Sequence, residues 1–242
     1  MELHPLIAEH RQRWQSKPVI REIYHHYYRR IVAACVPGPT LELGGGAGHS
    51  RDFISDLISV DIVPTPWLDV ACDAQYMPFH DASFSNIILL DVLHHIPRPI
   101  LFLREAARVL QRGGHLIILD PAITPLSWLF YHFFHQEPVD LSVDPLDEET
   151  TLSKDDPFDS NQAIASLLFG RHRRRLEKSV NQFEIVTLRQ FSFIAYPLSG
   201  GFKAWSLLPV AAVRPILKIE DSLESLLGPL MAFRLLAVLE RR

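Results

Sequence analysis

Cysteine is nearly absent: Cys35 and Cys72 are the only two among 242 residues. Two isolated thiols build neither a disulfide framework nor a zinc site. They also fall short of the three clustered thiolates of a radical iron–sulfur centre. Positive charge is not in excess either. The 24 Lys and Arg stand against 28 Asp and Glu, a formal charge of −4, whereas nucleic-acid binders usually carry a basic surplus. No run of about 18 apolar residues occurs, so no membrane span is expected. His4, Pro5, Glu9, His10 and Arg11 interrupt any apolar leader near the start, which points to a cytoplasmic protein. Internal repeats and low-complexity tracts are missing too. What is present, with 48% hydrophobic residues, suits one α/β domain with elaborations.

The most informative stretch is Leu41-Glu42-Leu43-Gly44-Gly45-Gly46-Ala47-Gly48. A short apolar run ends around an acid, and glycines follow at alternate positions. That pattern reads as a buried strand entering a tight turn whose backbone approaches a ligand closely. A helix is expected to start near His49-Ser50, with its first N–H groups facing the same ligand. The dinucleotide fingerprint G-x-G-x-x-G does not fit. Counted from Gly44, its third glycine falls on His49; counted from Gly46, it falls on Arg51.

The remaining pattern, acid-x-G-x-G-x-G, resembles motif I of the Rossmann-like methyltransferases that use S-adenosylmethionine. Further segments follow in order. Ile54 to Val60 carries apolar residues at Ile54, Leu57, Ile58 and Val60 and ends at Asp61, seventeen residues after Gly44. An acid at a second strand's tip can accept ribose hydroxyls; alternatively it caps a turn before Pro64 and Pro66. Asp73-Ala74-Gln75-Tyr76-Met77-Pro78-Phe79 with Asp81-Ala82-Ser83-Phe84 resembles the family's D-A-x-x-L-P-F-x-D-x-S-F segment, with Met77 in place of leucine. Ile87 to Leu90 leads into Asp91-Val92-Leu93-His94-His95-Ile96-Pro97, like a fourth strand and its loop. Glu105 to Leu110, then Gly113-Gly114, resembles E-x-x-R-V-L-x-x-G-G, a helix stopped by glycine before a fifth strand at Leu116 to Leu119.

The resemblance covers about residues 41 to 121 and is to a class I methyltransferase, type 11-like. It implies an α/β fold: a seven-stranded, mostly parallel Rossmann-like sheet with an antiparallel last strand and helices on both faces. Residues 1–35 then form an N-terminal helical cap, 36–121 the cofactor-binding core, and 122–242 the substrate-side elements. It also implies S-adenosylmethionine as cofactor, held by Glu42, Gly44, Gly45, Gly46, Gly48, Asp61, Asp73, Ala74 and Asp91. Asp61 would take the ribose, Asp73 the adenine amino group, and Asp91 the methionine end or the pocket wall. No Asn/Asp-Pro-Pro-Tyr/Phe sequence occurs, so DNA is not an expected acceptor.

His94 and His95 stand where the family places substrate-facing groups, and histidine suits a general base at neutral pH. Either one could instead hold a backbone carbonyl or pack beside the cofactor. His132, His135, Glu137 and Asp140 form a second candidate set, for the substrate pocket or for purely structural contacts; metal binding is conceivable there, but no metal site is assigned. Arg171-His172-Arg173-Arg174-Arg175 could grip phosphates or remain a solvated helix end.

Helices are expected over residues 5–35, over Ile123 to Phe134 and over 161–178, with an acidic surface loop at 138–160. Strands are expected at Glu184 to Ile194 and Met231 to Leu239. The intervening Ala195 to Leu230, about 36 residues, far exceeds a hairpin loop of ~2–5 residues and is expected to be a helical insertion. Its stripe from Phe202 to Leu217, with Trp205, Lys203, Arg214 and Lys218, packs on the sheet or touches a membrane surface peripherally through 196–229. The acceptor is expected to be a small molecule or a lipid type (quinone, polyprenyl-linked or glycolipid). The alternative is a non-catalytic cofactor-binding or membrane-surface partner with the same fold.

Overall fold

The structure is a computed structural model and describes residues 3–134, 137–147 and 157–242. In chain order the main elements are α1 (Pro5–Ser16), α2 (Pro18–Ala34), β1 (Thr40–Leu43), β2 (Leu57–Asp61), β3 (Val70–Ala71) and β4 (Phe84–Leu90). After these come α3 (Pro99–Val109), β5 (Leu110–Pro121), α4 (Pro125–Phe134), α5 (Ile164–Ser166) and α6 (Arg173–Ser179). The chain closes with β6 (Phe183–Phe191), α7 (Ala195–Ser199), α8 (Val210–Met231) and β7 (Arg234–Arg241). The strands form one sheet in the order β3-β2-β1-β4-β5-β7-β6. Only β7 runs antiparallel, against both β5 and β6, so the expected seven-stranded Rossmann-like sheet is present.

Alternation along the central strands explains why helices lie on both faces. Ile87 and Leu89 of β4, with Leu116 and Ile118 of β5, face a core shared with Phe102 and Leu103 of α3 and with Leu168 and Leu176. Ile88, Ile117 and Leu119 face the other way, onto Ile20, Ile23, Tyr27 and Ile31 of α2 and Val213 and Leu217 of α8. Pro5 and Pro18 each open a helix in its first turn, where a missing N–H costs nothing.

Several local expectations change. The helix expected after Gly48 is only a 3-10 turn, Ser50–Asp52. Residues 49–56 alone join the turn to β2, too few for a helix and its return. The aromatic face of α2 covers that gap instead: Tyr28 stacks on Phe53 with ring centroids 4.4 Å apart. Its hydroxyl also meets the Ser50 hydroxyl at 2.9 Å. The glycine stop moves as well, because α3 ends at Val109 with Leu110 extended, and left-handed Gly113 lies inside the following strand segment. Between β6 and β7 the insertion is helical, α7 and α8. Of the Phe202 to Leu217 stripe, Leu208, Val213 and Leu217 are buried while Trp205 and Leu207 are exposed.

Glu220 anchors that insertion. This α8 residue is 3% exposed, and its Oε1 accepts the backbone N–H groups of Phe193, Ile194 and Ala195, the last at 2.7 Å. These donors lie at the corner where β6 hands over to α7. Removing their shared acceptor strands three N–H groups, each worth roughly 1–3 kcal/mol if buried unpaired. Glu220→Ala is therefore expected to lower unfolding free energy by about 3 kcal/mol in urea titrations. Glu220→Gln, which keeps the acceptor oxygen, should lose less than half of that; equal losses would contradict the capping role.

Candidate active site

The carboxyl ends of β1, β2, β4 and β5 and the start of β7 converge on one cavity of 1890 Å³. It lies at the switch point between β1 and β4, where open α/β sheets hold ligands. One end is the glycine turn. Gly44 has φ +76°, and a Cβ there would lie 2.1 Å from Val92 Cγ2, so only glycine lets the two loops meet. Gly46 has φ +39°, yet a Cβ would find nothing nearer than 3.7 Å; its free face opens into the cavity. That cradle, beside the half-buried carboxylate of Asp61, fits a nucleoside-sized ligand.

The acids around the turn divide the work. Glu42 is buried and accepts the hydroxyls of Ser50 and Ser59, the latter at 2.6 Å. Burial raises its pKa, and it braces the turn from beneath. Asp61 accepts Gly46 N–H at 2.8 Å and Val63 N–H at 3.0 Å, which leaves lone pairs on both oxygens. Its pKa is also raised, chiefly by burial. Asp73 accepts both the backbone and the side-chain amide of Gln75. With Gly45, Gly48 and Ala74 it lines the same end.

The helical cap closes over this end. Arg11 donates to the Ala47 carbonyl at 3.1 Å and lies 4.0 Å over the Trp67 ring. Trp67 in turn donates to the Gly46 carbonyl at 2.8 Å. Trp14 stacks on His49 at 4.0 Å.

Asp91 holds a left-handed backbone, φ +59°, uncommon outside glycine and typical of functional turns. Its carboxylate takes the Tyr24 hydroxyl at 2.7 Å and the buried Arg234 guanidinium at 2.5 Å. Arg234 Nε has no hydrogen-bond partner, and its guanidinium lies 4.2 Å over Tyr196.

His94 and His95 sit next to it with different surroundings. His94 Nδ1 contacts Asp120 Oδ1 at 3.0 Å, and Nε2 stands 3.6 Å from Glu137. Burial lowers its pKa, but Asp120 and Glu137 outweigh that and leave it raised. His95 Nδ1 meets the Asp159 carbonyl at 3.2 Å, so that nitrogen carries the proton and Nε2 is the free lone pair. Burial and then the neighbouring His94 charge lower its pKa. His94, His95 and Glu137 bring one ligand atom each within 4.8 Å of one another.

The second candidate set does not assemble. His132 is exposed and stacks on Trp128, Asp140 is exposed and accepts from Ser142, and His135 lies outside the described residues. Glu137 alone joins the site. The arginine cluster is exposed and pairs locally, Arg175 with Asp144 and Arg173 with Glu177. Asp120, Tyr24, Trp67 and Arg234 were not read from the sequence. Asp120 carried the one available sign, an acid closing the apolar run Leu116 to Leu119.

Fold and glycine turn together define the class I S-adenosylmethionine-dependent methyltransferase architecture. Residues 41–118, about a third of the chain, match a methyltransferase domain family. The chain is 30% identical over 108 residues to a probable S-adenosylmethionine-dependent methyltransferase of Mycobacterium tuberculosis, 39% of each chain. It is also 43% identical over 49 residues to the ubiquinone/menaquinone biosynthesis C-methyltransferase UbiE of Cellvibrio japonicus, 20% of each. The chain thus matches a fifth to two fifths of these curated relatives' length. A solved Thermotoga maritima SAM-dependent methyltransferase, possible histamine N-methyltransferase, superposes with TM-score 0.56 at 16% identity over 96% of this chain and 94% of that one. At that identity the likeness is one of fold. Among the described residues no helix is long and apolar enough to cross a membrane.

Asp61→Ala is expected to weaken S-adenosylhomocysteine binding about 10–100-fold, the loss of hydrogen bonds to a charged acceptor. Gly46→Val, which strains a positive φ and fills the cradle, should weaken it at least as much. Calorimetric titration measures both; parent-like affinity in the two variants would move the cofactor site elsewhere.

Proposed function

We propose that this protein methylates a bulky, largely apolar acceptor of the quinone, polyprenyl-linked or glycolipid type. The observation that carries the reading is the one continuous cavity. At 1890 Å³ it exceeds the ~300–1,000 Å³ of a site for one drug-sized ligand, which leaves room for two. Away from the glycine turn its wall is apolar: Leu126, Leu129, Phe130 and Phe133 of α4 face Leu198, Phe202 and Leu207 of the insertion. Leu207 is 74% exposed and Trp205 44% exposed at this lip. That supports peripheral membrane contact through 196–229.

When bound, S-adenosylmethionine supplies an electrophilic methyl group on a sulfonium sulfur. In this reading Gly44, Gly45, Gly46 and Gly48 offer backbone to it, and Glu42 keeps their turn in place. Asp61 accepts from the ribose, Asp73 with Ala74 meets the adenine edge, and Asp91, held by Tyr24 and Arg234, borders the methionine end. His95 is the base: its lowered pKa keeps it neutral at pH 7, and its Nε2 takes the acceptor's proton. His94, its pKa raised towards the charged form by Asp120 and Glu137, positions its neighbour and fixes the local field. Alignment in such a closed site can contribute about 7–11 kcal/mol to the barrier reduction.

The sign of the pH dependence follows. Turnover falls as pH drops through the lowered pKa of His95, below 6.5, and falls again as pH rises through the raised pKa of His94, above 6.5. A bell with limbs on both sides of 6.5 is expected. His95→Asn should lower kcat about 10²–10⁴-fold and remove the acid limb; parent-like turnover would exclude the base. Turnover that disappeared on chelation and returned with a divalent ion would give His94, His95 and Glu137 to a metal instead.

The acceptor class is tested with methyl-labelled S-adenosylmethionine and a cell extract separated into membranes and supernatant. Label is expected in the organic phase of the membrane fraction. Label confined to water-soluble or macromolecular products would discard the lipid-type acceptor.

A further inference from the structure

Lys17 is the one residue between α1 and α2, and it is 8% exposed. Its ammonium reaches across the chain to four backbone carbonyls: Ser199 at 2.7 Å, Gly201 at 2.7 Å, Lys203 at 2.8 Å and Trp205 at 2.8 Å. They belong to alternate residues of a single loop, which curls because Gly200 and Gly201 both adopt positive φ, 73° and 56°. A Cβ on Gly200 would lie 2.7 Å from the Trp205 carbonyl oxygen, so the curl closes only around glycine.

An ammonium has three protons, and here it meets four oxygens at nearly equal distance. That is the coordination of a spherical cation in a ring of carbonyl dipoles, the arrangement by which potassium filters replace a hydration shell. Among the described residues no carboxylate bonds to Lys17. The charge is held by backbone alone.

We propose that the 199–205 loop is a monovalent-cation site of the potassium or ammonium type, in which Lys17 serves as a tethered cation. The contact matters for the cavity on both sides. Gly201, Phe202 and Trp205 line the acceptor end, and Phe202 stacks on His10 of α1 at 4.3 Å. Lys17 therefore fixes the pivot of the helical cap and the shape of the acceptor wall through one ring. It is a positioning residue: it reaches neither the glycine turn nor the histidines.

The test uses the full chain with Lys17→Ala, which empties the ring without adding bulk. Thermal unfolding is followed in potassium, ammonium, lithium or choline chloride at one ionic strength. In choline the variant is expected to melt about 10 °C below the parent, with potassium or ammonium restoring at least half the loss by mass action. Lithium, too small to span the ring, restores none, and the parent responds equally to all four salts. S-adenosylhomocysteine affinity in the restored variant matches the parent, since Asp61 and the glycine turn are untouched. A variant that melts like the parent, or melts equally low in every salt, overturns the proposal. Should Lys17→Ala not fold, the parent decides. In ¹⁵N-lysine-labelled protein the Lys17 ammonium must give a signal protected from water exchange that Lys17→Arg removes. Ammonium groups all exchanging like free lysine would contradict the ring.

Discussion

The constraint on which the site depends is the approach of the β1 turn to the β4 loop at Gly44 and Val92. With only 2.1 Å between a hypothetical Gly44 Cβ and Val92 Cγ2, the backbone of one loop rests on the side chain of the other. Parallel pairing of β1 with β4, Leu43 opposite Leu89, brings the two loops out at the same level. The glycine turn, Asp91 and the histidine pair then share one cavity because their strands end together. Asp120 enters through the next register, Leu90 opposite Leu119, and its Oδ1 takes Val92 and Leu93 N–H as well as His94. A single buried carboxylate thus holds both the loop and the imidazole.

The N-terminal cap supplies what the short 49–56 connection cannot. In place of a helix following the glycine turn, α1 and α2 bring Trp14, Tyr24 and Tyr28 over the turn from outside the sheet. The insertion does the same at the other end, with Glu220 rooting α8 at the β6–α7 corner and Lys17 joining the two roofs. The glycine-turn end and the α4 end of the cavity are separate in sequence but are covered by elements that touch each other. Arg30, for instance, pairs with Asp221 and Glu224 across α2 and α8.

How much of this was legible depends on how local each signal is. Gly44 to Gly48, Asp61 and Asp73 lie within one segment whose spacing carries its own meaning, and the seven-stranded sheet was implied by the family resemblance that segment carries. The histidines were visible for the same reason. Asp120 needed the β4–β5 register, Tyr24 needed the docking of α2, and Arg234 needed β7 to insert between β5 and β6. Lys17 was the least legible, since its partners lie more than 180 residues away and are carbonyls, which no side-chain pattern reveals. The expected helix at His49 failed because a motif fixes a turn but not the length of chain that follows it. Helical spacing placed His132 outward in a structural stack on Trp128, while Glu137 of the same candidate set reached His94.

The central claim is that cofactor and acceptor occupy the two ends of one cavity with His95 between them. A crystal structure with S-adenosylhomocysteine bound tests it most directly. The account predicts the ribose on Asp61, the sulfur directed towards His95 Nε2, and the apolar space between α4 and the insertion still open. Adenosine seated between α4 and the insertion, or a sulfur facing away from the histidine pair, would contradict it.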